Sequence, residues 1–152
     1  MFRGVNNVNL DAKGRLAVPT RHREGLQELG VREMMVTLAH RGNCLLIYPF
    51  PEWEKIEREL VRRSDLNGPA YALKQILLGH ASQCDLDGSG RILVPPALRE
   101  QLGIDKKAAL VGMGNKLELW QEQRWLEQRE TNLLQIADLD LENSEELAGL
   151  TL

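Results

Sequence analysis

Two short runs of the chain place an aspartate and an arginine four residues apart around a glycine: Asp11-Ala12-Lys13-Gly14-Arg15 and Asp87-Gly88-Ser89-Gly90-Arg91, 76 positions later. At this spacing the carboxylate can accept turn amides while the guanidinium returns to pair with it. Alternatively, the guanidinium faces outward and holds a phosphate or the edge of a guanine. Because both copies keep the pair, turn building alone explains Asp11, Gly14, Asp87, Gly90 and Arg91. The first copy differs in its surroundings, which include Arg3, Lys13, Arg21 and Arg23. At the equivalent places the second copy has Gly79, Ser89, Ala97 and Arg99, with Asp85 added. The first hairpin therefore reads as a contact for double-stranded DNA. Arg15 and Arg3 are its candidate phosphate or base contacts and Lys13 a phosphate contact. Arg21 and Arg23 are either further DNA contacts or surface cations. Since Arg23 recurs as Arg99, a structural role for both stays open.

No other group of side chains assembles a reaction. His80 and Cys84 stand four apart without a second pair to complete a zinc set. His22 aligns with Leu98 and reads as a half-buried packing position, and His40 lies in a polar turn. Ser82 has no His and Asp partners at readable spacing. Gly88-Ser89-Gly90 lacks the lysine and the helix start of a phosphate-binding loop. No enzyme, metal site, cofactor or small-molecule substrate is expected. Tyr48, Trp53, Trp120 and Trp125 repeat between copies, which marks them as core rather than as platforms for bases.

The elements that carry these residues repeat as well. Leu10, Val18, Pro19, Arg23, Glu24 and Leu26 return as Leu86, Val94, Pro95, Arg99, Glu100 and Leu102, so each turn is the centre of a duplicated supersecondary unit. The patterns predict strands at 2–10 and 16–18, then a helix over 21–29 capped by Thr20 and ended by Gly30. Strands at 34–38 and 44–48 follow, then a helix over 52–63. After the linker 64–68 and a helix opened by Pro69, the plan repeats with strands at 84–86, 92–94, 108–111 and 116–120 and a last helix over 121–137. Small sheets with exposed edges are normally paired or covered. Two copies in one chain can interleave their strands, so the expected architecture is an α+β pseudo-dimer closing a barrel. The expected divisions are 1–63, 64–79, 80–137 and an acidic tail over 138–152.

Of the 152 residues, 43% are hydrophobic, enough for a real core, and the net charge of −3 announces no global affinity for nucleic acid. Position matters more than the sum. Residues 1–23 hold five cations against one acid, a balance of +4, whereas residues 127–152 hold seven acids and Arg129 alone, a balance of −6. Such asymmetry suits one face turned to an anionic partner and one kept away from it. No apolar run approaches a membrane span, the N-terminus lacks a signal-peptide pattern, and Cys44 and Cys84 read as buried free thiols of a reducing cytoplasm.

The run Met1-Phe2-Arg3-Gly4, the stretches 11–19 and 45–53, and Leu77-Leu78-Gly79-His80-Ala81-Ser82 leading into 87–95 resemble the MraZ family. These are bacterial transcriptional regulators of the AbrB-like swapped-hairpin superfamily, and the likeness covers essentially the whole chain. The resemblance implies tandem AbrB-like units forming a double-split β-barrel with flanking helices. It further implies a cytoplasmic, nucleoid-associated repressor of its own promoter and of the adjoining division and cell-wall gene cluster. The family binds direct repeats and assembles as a homo-oligomeric ring, with an octamer-like ring favoured here. Within it, Asp11 and Arg15 occupy the first copy of a motif tied to DNA binding. The other function class is an oligomeric interaction or antitoxin-like module without specific DNA readout.

Overall fold

Prolines start the first four helices and set much of the chain's punctuation. A fixed φ and a missing N–H cost nothing in a helix's first turn. Residues 1–152 are described by a computed structural model. In its first half run β1 (Val5–Asn9), β2 (Arg15–Ala17), α1 (Thr20–Glu28), β3 (Met34–Leu38), β4 (Leu45–Pro49) and α2 (Phe50–Val61). After α3 (Pro69–Leu77), the second half runs β5 (Ser82–Gln83), β6 (Arg91–Leu93), α4 (Pro96–Leu102), β7 (Lys107–Gly112), β8 (Leu117–Gln121) and α5 (Glu122–Ala137).

Helices α1 and α4 end alike. Gly30 and Gly103 take φ of +69° and +64°. Amides of the next residues return to Leu26 and Arg99, so orphan carbonyls are satisfied in a Schellman arrangement. The start of α1 differs from expectation. Pro19 is its N-cap, without a side-chain cap bond. Thr20 lies inside the helix, and its Oγ1 accepts from Arg23 Nη2 at 2.9 Å.

The strands interleave, but they close no barrel. Six form an open sheet in the order β1-β7-β8-β4-β3-β5, and β2 pairs with β6 apart from it. All pairs are antiparallel. Only β3–β4 and β7–β8 are hairpins within one half, whereas β1–β7, β4–β8, β3–β5 and β2–β6 join the halves. The expected hairpin of β1 with β2 is reduced to one bridge, Leu10 with Leu16. Beyond it β1 turns to β7, in register from Val5–Val111 to Asn9–Lys107. Likewise the strand expected at 84–86 is a two-residue pairing at Ser82–Gln83 against β3.

Burial explains the exchange. Leu10, Leu16, Val18 and Leu26 enter one core with their repeat equivalents Leu86, Ile92, Val94 and Leu102. Neither half can cover these side chains alone, and truncating any of the leucines or Ile92 to Ala would cost about 2–5 kcal/mol. Strands β3 and β4 are buried throughout, as their unbroken apolar runs require. Trp53 is fully buried, and Tyr48 and Trp120 nearly so. Trp125 is only half-buried. The buried hydroxyl of Thr37 donates to the Leu77 carbonyl at 2.6 Å, fixing α3 to β3.

The chain divides into two compact units, Met1–Glu122 and Gln123–Leu152. The first contains the core just described. The second continues α5 and then turns irregularly, and α5 has no buried residue. No helix is long and apolar enough to cross a membrane.

Candidate nucleic-acid interface

Both Asp–Arg turns are built by the same bonds. Asp11 Oδ1 accepts the amides of Lys13 at 3.0 Å and Arg15 at 2.8 Å, while its Oδ2 accepts Arg15 Nε at 2.6 Å. The Gly14 amide reaches the Asp11 carbonyl at 2.9 Å, with Gly14 at φ +82°. In the second copy Asp87 receives Ser89, Arg91 and the Arg91 Nε in the same way, at 2.8, 2.9 and 3.0 Å. The backbone amide of Arg15 is the foremost cause holding the Asp11 carboxyl below its ordinary range, and that of Arg91 does the same for Asp87. Each arginine spends its Nε–H on the turn, which leaves the terminal nitrogens to present outward.

The β2–β6 ladder sets one turn at each of its ends. Arg15 stands opposite Leu93, Leu16 opposite Ile92 and Ala17 opposite Arg91. Leu16 and Ile92 point into the core. Strand alternation therefore turns Arg15, Ala17, Arg91 and Leu93 to the outer face of the ribbon. The amides of Val18 and Val94 donate to the carbonyls of Gly90 and Gly14, each at 3.0 Å. Arg91 Nη1 approaches Asp11 Oδ2 to 3.9 Å, so Arg91 spans both aspartates.

The other cations divide differently from their sequence positions. Arg23 belongs to the second turn, where a Cβ built on Gly90 would lie 2.2 Å from its Cδ. Reciprocally, a Cβ on Gly14 would lie 2.5 Å from the Cζ of Arg99. The halves thus exchange arginines one for one, and the arginine at the first turn is Arg99 of the second copy, not Arg23. Arg21 is tied to the N-terminal segment, its Nη2 donating to the Arg3 carbonyl at 2.6 Å. The Arg3 backbone packs against Gly112, whose added Cβ would meet its nitrogen at 2.3 Å. Arg3 therefore sits at the far end of β1 and not beside Arg15, since seven residues of extended chain separate it from Leu10, on the order of 20 Å. Lys13 is exposed at the first turn's tip.

Sequence reasoning noted the Arg23–Arg99 equivalence but not Arg99's place at the first turn. The repeat itself was the available signal, once the strands are known to exchange.

The remaining candidates are occupied elsewhere. His22 is buried rather than half-buried, packed edge-on against Phe2 with ring centroids 5.3 Å apart. Burial, and then the charge of Arg21, holds its pKa below the usual value. His80 Nδ1 lies 2.8 Å from the Ile76 carbonyl, and Cys84 Sγ lies 3.6 Å from the Ser82 carbonyl. Burial pushes the thiols of Cys44 and Cys84 up to about 12 and about 11, so neither is an activated nucleophile. No group of three or more His, Cys, Asp or Glu side chains is arranged to hold a metal.

The chain matches the family described as "MraZ protein, putative antitoxin-like" over residues 1–75 and 77–146. It is 50% identical to a protein of Halorhodospira halophila and 47% identical to one of Shewanella denitrificans, each over 152 residues and the full length of both chains. A protein of Thioalkalivibrio sulfidiphilus is 50% identical over 130 residues, 86% of each chain. All three relatives bear the name transcriptional regulator MraZ.

Proposed function

The chain belongs to the MraZ family, and from that membership we propose that it is a sequence-specific DNA-binding repressor that reads its operator with the β2–β6 ribbon. One observation carries the reading: two arginines stand on the ribbon's outer face, with Lys13 at the adjoining tip, and all three are backed by a rigid core. A two-stranded antiparallel ribbon is a shape that the major groove, about 12 Å wide, admits. The two turns lie at opposite ends of the ladder, about 13 Å apart at the rise of a strand. Arg15 has its terminal nitrogens available for a guanine or a phosphate, while Arg91 is shared between two carboxylates and holds the ribbon together. Arg21 and Arg23 act through Arg3 and the Gly90 turn, so they position rather than touch DNA.

As the family resemblance implies, the targets are direct repeats in the chain's own promoter, ahead of the division and cell-wall gene cluster. A single ribbon would bind weakly. Identical ribbons on a homo-oligomeric ring engage successive repeats together, and the linkage multiplies affinity without any new contact. The tandem AbrB-like pseudo-dimer is supported by the four strand pairings that join the halves.

The test is binding of Arg15→Ala to a fragment of the chain's own promoter across a range of salt. Removing one bidentate contact is expected to weaken specific binding about 10- to 100-fold, while the oligomer keeps its size by light scattering. A variant that dissociates and binds no worse per assembled particle would overturn the reading. Undiminished promoter binding would remove Arg15 as the contact, and an unaltered chain that does not prefer its promoter over an unrelated duplex would favour the antitoxin-like interaction module instead.

A further inference from the structure

We infer that Arg99, far from the first turn in sequence, is a phosphate-binding residue of the first turn's DNA site. This assignment rests on the DNA-binding reading above. Arg99 lies on α4, yet its guanidinium is pressed on Gly14: a Cβ there would lie 2.5 Å from Cζ, 2.5 Å from Nε and 2.7 Å from Nη2. Lys13 and Arg15 flank that glycine on either side. Three cations from the two halves of the chain therefore converge on one turn.

Arg99 is poorly satisfied where it sits. Its Nε is buried without a hydrogen-bond partner. The ion pairs around the turns run among Arg15, Arg91, Asp11 and Asp87, and Arg99 is not among them. Its repeat equivalent, Arg23, has the same buried Nε but is anchored by Nη2 donating to Thr20 Oγ1 at 2.9 Å. The position equivalent to Thr20 is Pro96, which has no hydroxyl to offer. The chain thus ties down the arginine of the second turn and leaves that of the first without a hydrogen-bonded partner. Asp11 is the near anion, and Arg15 and Arg91 already share it.

Lys13, Arg15 and Arg99 outnumber the one carboxylate of the turn, Asp11, and a phosphodiester placed over Gly14 offsets that excess of positive charge. A guanidinium held flat by a glycine has little rotamer freedom to lose, and its terminal nitrogens match two phosphate oxygens. Arg99 contacts the DNA backbone, and it carries affinity rather than sequence preference.

The experiment compares the full-length unaltered chain with Arg99→Met and Arg99→Lys, binding the promoter fragment and an unrelated duplex from about 50 to about 200 mM salt. The Met variant is expected to weaken binding to both duplexes about tenfold and to lower the slope of log K against log salt by about 0.9, one phosphate's worth. The Lys variant, whose charge remains, is expected to keep the slope. If the Met variant binds with an unchanged slope, Arg99 only packs against Gly14 and the assignment falls while the function stands. If the Lys variant loses the slope as the Met variant does, charge is not its role and the assignment also falls. If the unaltered chain binds neither duplex, the DNA reading fails and takes this assignment with it.

Discussion

His22 is where the two copies differ most sharply inside the core, since the second copy has Leu98 at its place. Its Nε2 is buried without a partner, which a neutral imidazole tolerates far better than a charged one. In the folded chain its pKa is depressed from 6.5, by burial first and then by Arg21 and the N-terminal ammonium. The unfolded chain consequently binds more protons just below that value, and stability falls with pH there. Above about pH 6.5 the contribution is fully present, and it is lost as pH drops toward the depressed value. Asp11 and Asp87 act in the same direction in a lower window, because their carboxyls are held below 3.8. The variant His22→Leu installs the residue that the repeat already accepts at this depth. Urea midpoints measured from pH 7.5 to 3 should show the unaltered chain weakening below about pH 6.5, the variant flat until about pH 4, and both falling thereafter. A variant that weakens in step with the unaltered chain above pH 5 would remove His22 as the cause.

The ribbon is an element of three-residue strands, and its outer face contains an apolar residue without a packing reason. Leu93 is 50% exposed and stands opposite Arg15, while its repeat equivalent is the smaller Ala17. On a DNA-reading face such a side chain suits the methyl group of thymine. Leu93→Ser should leave the thermal transition within about 0.5 kcal/mol. It should also cut the preference for the promoter over an unrelated duplex about fivefold, the worth of about 1 kcal/mol. An equal loss on both duplexes would show a general weakening and not a lost methyl contact. The ribbon also marks what was readable from residue order. The turns were legible because Asp, Gly and Arg at fixed offsets permit little else, and the helix ends because Pro and Gly act locally. Partner choice was not. Leu16-Ala17-Val18 pairs equally well on paper with 8–10 or with 92–94, and only covering Leu10, Leu86 and the other shared core residues decides for exchange. The donors of the turn cations were hidden for the same reason: Arg23 and Arg99 cross to opposite turns, which no count along one copy reveals.

For the whole molecule, the decisive quantity is how its charge is divided along the chain. Residues 138–152 contain five acids and no base, so a chain ending at Ala137 changes from a net charge of −3 to +2. Every member of the hydrophobic core precedes residue 121, and the helix that ends at Ala137 contains no buried residue. Removing the tail therefore takes no core contact away, and thermal unfolding of the first unit should be unchanged. DNA binding should respond. A polyanion meets the summed field of a protein before it meets any single side chain, and a change of sign in that field acts first on the association rate. The truncated chain is expected to associate with the unrelated duplex about tenfold faster at low salt, with the advantage shrinking as the Debye length falls to about 8 Å near physiological ionic strength. Stopped-flow association at several salt concentrations measures both. Dissociation from the promoter should stay the same, because Arg15 and the ribbon are intact. Faster dissociation, or an association advantage that salt does not erase, would mean that the tail contributes specific contacts and not merely its charge.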